Sequence, residues 1–355
     1  MLLFSDFVQR RHQAKIFEPD PAKPDEQIFA VSQASFRNLI GKADMFRNAS
    51  GDHLRVQAGF VERLTPDAFA DFDDGVHYVM MHQALLATII EFAVFLFTQS
   101  VVMPDIGKAH DEASPVLGLD QPPGLQALRI TIEAASIDPA QDRVRIPHCE
   151  ERHRAAIYMG LLMSRFVWFH ELAHCINGHV LFMRNQRLSG SLISAAAALG
   201  LVTLKNPKRS AEDQRRLRHI LETDADLTAL DWLLRIQNGD AENIQGLLAY
   251  DAAQRFKMTI IGTYMMTWLF EEYQRFADQT DDLTHPAPRA RLAALTGMMR
   301  EAATHPSVNS AMGEIEETLI KLETQLPGFQ FVSEIDAVMI DDPALDAALE
   351  PYRFR

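Results

Sequence analysis

The chain is poor in cysteine: 355 residues contain two, Cys149 and Cys175. Two thiols in so long a chain build no disulfide framework. That excludes the small secreted scaffolds and makes a reducing, cytoplasmic compartment the expectation. A basic domain is also missing. The formal charge is −14, with 34 Lys and Arg against 48 Asp and Glu, which argues against nucleic acid as the main partner. The locally basic run 205–218 is interrupted by Glu212 and Asp213 and reads as a solvated helix face. No basic segment followed by an apolar stretch opens the chain, so no secretion signal is expected. Long apolar runs are absent too. The longest, 84–102, contains Glu91 and Gln99, whereas a bilayer span needs about twenty uninterrupted apolar residues. It reads as a buried helix, and no transmembrane segment is expected. There is no internal repeat, no low-complexity tract and no glycine-rich phosphate loop.

What is present is length enough for a large core, as one domain or two, and an apolar segment with three polar residues set into it. Residues 165–176 are almost wholly apolar except for His170-Glu171-Leu172-Ala173-His174, an HExxH. On a helix turning by about 100° per residue, His170 and His174 share a face one turn apart. Two imidazoles so placed can hold two corners of a tetrahedral Zn2+, and Glu171 stands where it can take a proton from zinc-bound water. Two histidines and a carboxylate are costly on an apolar helix unless something compensates them, and a metal does.

The elements around this segment follow from periodicity and punctuation. Residues 18–25 are a proline-punctuated loop, and 53–62 alternate as a strand does. Asp74-Gly75 leads into a long apolar helix ending near Pro104. Residues 128–134 and 143–146 are expected as two strands joined by a turn at Asp138-Pro139. A helix runs over 150–176 and is closed by Asn177-Gly178, residues that tolerate a left-handed cap. Further helices are expected at about 211–237 and 251–277, and the remainder is helical with a joint at His285-Pro286-Ala287-Pro288. The expected class is mostly α with a small β-sheet, that is α+β.

Zinc held by two histidines needs a third protein ligand, with water in the open position. His179 is nine residues beyond His170, about 180° round a continuing helix, and one residue short of metzincin spacing, so it reads as a polar residue past the helix cap. Glu222-Thr223-Asp224-Ala225-Asp226 is the better source. Glu222 and Asp226 are four apart on one face, so one carboxylate can bind the metal and the other can accept the outer N–H of a ligand histidine. Asp224 points about 200° away from Glu222 and reads as solvated. His285-Pro286 with Arg291 adds an imidazole and a cation able to stabilise an oxyanion. Cys175, Tyr158 and Tyr264 read as core. His148, Cys149 and His153 fit no common zinc spacing and read as structural.

Taken in order, His170 to His174, Glu222 to Asp226 and His285 to Arg291 resemble the gluzincin pattern HExxH…ExxAD…HPxxxxR of the HtpX and CAAX-prenyl-type zinc peptidases and their soluble relatives. The resemblance covers about 150–295. A weaker one links the HExxH to the Lit-type phage-exclusion peptidases, bacterial proteins of the cytosol. The resemblance implies a zincin-like helical core and zinc held by His170, His174 and Glu222. Glu171 would be the general base, Asp226 the hydrogen-bond partner of a ligand histidine, and His285 and Arg291 active-site supports. It also implies an endopeptidase acting on protein or peptide substrates. HtpX-type members carry transmembrane helices, and this chain has no stretch of that kind. Three regions are expected: 1–147, an α+β region lining the substrate groove; 148–300, the zinc-peptidase helical core; and 301–355, a helical, acidic end whose charges read as a solvated tail. Two other functions fit a zinc site: a regulatory or interaction protein with structural zinc, and a zinc hydrolase of a small-molecule amide. The intact Glu171 argues against the first, because a closed structural site needs no general base.

Overall fold

The computed structural model describes residues 3–41, 43–112, 146–185, 211–237, 250–276, 291, 294–295, 297–299, 306–326 and 342–355. Helix α1 (Phe4–His12), strand β1 (Ile16–Phe17) and helix α2 (Gln27–Ile40) open the chain. Strands β2 (Val56–Val61), β3 (Ala68–Asp73) and β4 (Val76–His82) follow. The rest is helical: α3 (Gln83–Phe97), α4 (Glu150–Ile176), α5 (His179–Asn185), α6 (Ala211–Gln237), α7 (Ala252–Phe276), α8 (Pro306–Gln325) and α9 (Pro343–Leu349). The fold is α+β, mostly helical with one small mixed sheet, as expected. Among the described residues no helix is long and apolar enough to cross a membrane. The strands expected at 128–134 and 143–146 lie outside the described residues, apart from Ile146, which is in no strand.

The sheet order is β1-β2-β4-β3, with β2 and β4 parallel and the other pairs antiparallel. Residues 68–82 correct the sequence reading, which ran a helix onward from Asp74-Gly75. They form a hairpin instead. Asp74 (φ 46°) and Gly75 (φ 77°) both take the left-handed conformation that a two-residue hairpin turn requires. The helix after it is shorter than expected and starts only at Gln83.

Alternation along the strands separates two faces. Ala58, Phe60, Ala70, Val79 and Met81 join the main core with the helices, while Val61, Phe69, Val76, Tyr78 and Met80 meet α1. Phe7 of α1 stacks on Tyr78 at 3.6 Å between ring centroids. All of β4 is buried, so its two histidines are as well. Neither ring nitrogen of His77 has a hydrogen-bond partner among the described residues. Burial lowers its pKa from 6.5 to about 3, and burial lowers that of His82 to about 4. The unfolded chain therefore binds more protons than the folded one below pH 6.5, so stability is lost as pH falls through that value toward the folded pKa values. Each ring contributes a loss of about 2 kcal/mol between pH 7 and 5. Urea unfolding at the two pH values is expected to show about 4 kcal/mol from the pair, and His77→Leu about half of that.

Helix α4 is the axis of the molecule, packed against α3, α6, α7 and the sheet, with both termini shaped by other segments. Glu150 and Glu151 occupy its first turn, where the helix dipole favours negative charge. The Glu112 carboxylate accepts the backbone N–H groups of His148 (3.1 Å) and Cys149 (3.3 Å) just ahead of that turn. Gly160 lets α3 approach, because a Cβ there would lie 2.6 Å from Ile90 Cδ1. Gly178 ends the helix with φ +80°, and a Cβ on it would meet the Tyr352 backbone at 2.7 Å. Asn177 keeps a right-handed conformation, so the glycine alone makes the cap.

Residues 342–355 are no solvated tail. Asp342 caps α9 by accepting the Leu345 N–H (3.1 Å), and Leu345, Leu349 and Phe354 are buried. The Phe354 N–H donates to the Ile176 carbonyl (2.8 Å) at the end of α4. The acidic residues mark only the outer side of this segment. Asp346 and Glu350 are exposed and pair with Arg353 and Arg355.

Candidate metal centre

Helix α6 buries two neighbouring rows at four-residue spacing: Leu217, Leu221, Ala225, Ala229 and Leu233 form one, and Glu222, Asp226 and Leu230 the other. Leu217 and Leu221 pack with Phe182 and Met183 of α5 and with α9, while Ala229, Leu230 and Leu233 join the main core with α4. The alanines leave room for the helices to come close. Glu222 and Asp226 therefore face the His170 and His174 side of α4 with their charges out of water. The His170 and His174 Nε2 atoms lie 3.0 Å apart, and Glu222 lies 3.3 Å from His170 Nε2 and 3.8 Å from His174 Nε2. His170, His174 and Glu222 can hold a metal ion: one donor atom from each lies within 4.8 Å of the others. Among the described residues they are the one group of this kind, and His148, Cys149 and His153 do not form another.

The outward nitrogens of both histidines are engaged elsewhere. His170 Nδ1 is 2.9 Å from Asp226 Oδ1. Arg291 grips the same carboxylate with two parallel hydrogen bonds, Nε to Oδ2 and a terminal nitrogen to Oδ1, each 2.6 Å. Burial works against charge on Asp226, but the Arg291 guanidinium outweighs it and holds the carboxyl well below the usual range. Burial opposes charge on His170 too, yet Asp226 and Glu222 lift its pKa to about 10. The cluster thus attracts positive charge strongly at the point where the ring nitrogens and Glu222 converge. Arg291 sits behind Asp226, as a positioning group. His285 lies outside the described residues.

Glu171 is 3 % exposed, and its Oε2 has no hydrogen-bond partner among the described residues. Burial raises its pKa well above the ordinary carboxylate value; Glu222 and Asp67 add to this, while His170 and Arg291 oppose it. Asp67, itself buried, immediately precedes β3. A buried carboxyl with one unpartnered oxygen, beside two imidazoles and a second carboxylate, suits a dication and a reacting water. Nothing in core packing calls for such a group.

Three other sequence readings meet the structure here. His179 is buried, and its Nδ1 is 2.9 Å from His174 Nδ1. The helix-wheel estimate failed because Gly178 turns the backbone between them. Asp224 does point away from Glu222 and is half-exposed, but it also meets the turn at the start of α5: it accepts from His179 Nε2 (3.0 Å) and Asn177 Nδ2 (2.8 Å). Those contacts, led by the His179 hydrogen bond, lower its pKa against the effect of burial. The signal that could have found this pair was the Gly178-His179 step, a helix stop followed at once by an imidazole. Tyr158, Tyr264 and Cys175 are core residues, and burial pushes the Cys175 thiol up. No protein-family model, curated protein or solved structure matches the chain.

Proposed function

We propose that this protein is a zinc-dependent peptidase in which His170, His174 and Glu222 hold the metal and Glu171 is the general base. The observation that carries the reading is the convergence of two inward Nε2 atoms and one carboxylate beside the unpartnered Glu171 Oε2. The two Nε2 atoms are 3.0 Å apart and one Glu222 oxygen is 3.3 Å from His170 Nε2, close to the roughly 3.3 Å edge of a tetrahedron with bonds of about 2.0–2.1 Å, the zinc–nitrogen length; the other Glu222 oxygen is 3.8 Å from His174 Nε2. Bound zinc supplies an acidified water and polarises the carbonyl to be attacked. Glu171 takes the proton of the attacking water and delivers it to the leaving amine nitrogen, so one amide and one water become an acid and an amine. Asp226, itself held by Arg291, keeps the proton of His170 on Nδ1 and its lone pair inward.

A regulatory protein with a closed structural zinc site is the competing class. It needs a fourth protein ligand, but His179 contacts the far side of His174 and Asp224 is engaged by His179. A peptide suits the site better than a small amide because β3, which ends the sheet order, packs against α4 and begins next to Asp67. A strand edge so placed can align an extended chain. At Phe72 that edge is already in use, with the N–H donated to Asp71 and the carbonyl accepting from Arg184. The two free cysteines fit a cytoplasmic location.

Metal content tests the reading. The purified protein is expected to hold about one zinc per chain, and His170→Ala and Glu222→Ala to lower affinity by at least about a hundredfold. Unchanged binding in both variants, or no zinc in the wild type, sinks it.

A further inference from the structure

His179 has no part in the chemistry above, yet it is fully buried against a proposed ligand. We propose that His179 and Asp224 are positioning residues for His174, an imidazole relay that sets which of its nitrogens faces the metal. The proposal rests on the zinc reading and adds an orienting device to it.

Hydrogen-bond polarity sets the direction of the relay. The Asp224 carboxylate only accepts, so the 3.0 Å contact puts a proton on His179 Nε2. A His179 ring carrying only that proton presents a lone pair at Nδ1. The 2.9 Å contact between the two Nδ1 atoms requires one donor and one acceptor, so His174 donates. With its proton on Nδ1, His174 turns the Nε2 lone pair toward His170 and Glu222. The reverse arrangement would put a proton at the centre of the metal cluster.

The anchor of the relay is built for this. Asn177 Nδ2 holds Asp224 at 2.8 Å and also reaches Thr228 Oγ1 at 2.9 Å. Asn177 and His179 flank the Gly178 turn, and Asp224 and Thr228 are one turn apart on α6. The turn after α4 is thus tied to α6 on the side opposite Glu222. The two ligand histidines are served differently. His170 meets a carboxylate directly, whereas His174 meets one through the His179 ring. The spacer keeps a fourth carboxyl group away from a cluster that already contains Glu171, Glu222 and Asp226.

Two measurements on the full chain test this. Zinc affinity by competition with a chromophoric chelator, with apo-protein melting alongside, compares wild type, His170→Ala, His179→Leu and His179→Gln. The glutamine amide can accept from His174 and donate to Asp224. His179→Leu is expected to weaken zinc by about 10–100-fold and His179→Gln by no more than about threefold. If His179→Leu binds zinc like the wild type, the relay is wrong even where melting falls. If the wild type binds no zinc, the zinc reading itself fails, a different pattern. Nitrogen-15 imidazole spectra of the wild type do not depend on any variant folding. A neutral His179 protonated on Nε2 supports the relay, and a His179 protonated on Nδ1 overturns it.

Discussion

Glu171→Gln is expected to lower hydrolysis of an unfolded protein substrate by about 10²–10⁴-fold while zinc stays bound. Glutamine has nearly the same size and fits the same buried pocket, so the fold and the three proposed ligands are untouched. What it lacks is the ability to take a proton. Loss of the carboxyl also removes a negative neighbour of Glu222, one of the influences that raise the Glu171 pKa. That is a reason to expect no rearrangement of the ligand set, and zinc affinity within about threefold of wild type. Glu171→Asp withdraws the carboxyl by one methylene and should fall between the two. The readouts are turnover and zinc content on the same samples. Retained turnover in Glu171→Gln would remove this residue from the role, and lost zinc would show that it holds the metal.

Arg152→Met is expected to destabilise the protein by at least about 5 kcal/mol, a large part of the whole stability of an ordinary domain. Arg152 is 0 % exposed, and its guanidinium donates to five backbone carbonyls: Phe97, Gln99, Val102, Met103 and Ile106, at 2.8–3.1 Å. Glu112 lies 3.5 Å away and also receives the N–H groups ahead of α4. One side chain thus holds the loop after α3 to the start of the helix that carries the candidate metal ligands His170 and His174. A methionine fills much of the volume but leaves the carbonyls unmet, at about 1–3 kcal/mol for each that water cannot reach, and a buried Glu112 without its cation. Adding Glu112→Gln to Arg152→Met should recover part of the loss. Urea unfolding, or failure to yield soluble protein, reads the result. A single variant within about 1 kcal/mol of wild type would show that Arg152 is not the organiser of this loop.

Helices α4, α6 and α7 were legible from the chain as long stretches without proline, with Asn177-Gly178 a clear stop for α4. The proximity of Glu222 and Asp226 to the histidines was legible only when their four-residue spacing was set beside the preceding HExxH. The β3–β4 hairpin was not seen, although Asp74-Gly75 is a hairpin signal. β4 is buried on both faces and so reads as a continuous apolar run that merges with α3. The docked end of the chain was hidden for the opposite reason: its acids face outward while Leu345, Leu349 and Phe354, too few to show a period, face inward. His179 escaped because wheel arithmetic assumes an unbroken helix. Arg152 escaped because its partners are backbone carbonyls of a loop, which leave no trace in side-chain pattern.

Anomalous diffraction at the zinc edge from crystals of the wild-type protein tests the central claim most directly. The account predicts one peak bonded to His170 Nε2, His174 Nε2 and a Glu222 carboxylate oxygen, with its remaining position open to solvent and close to Glu171. A peak with a fourth protein ligand, or zinc bound elsewhere and none at these three residues, would contradict it.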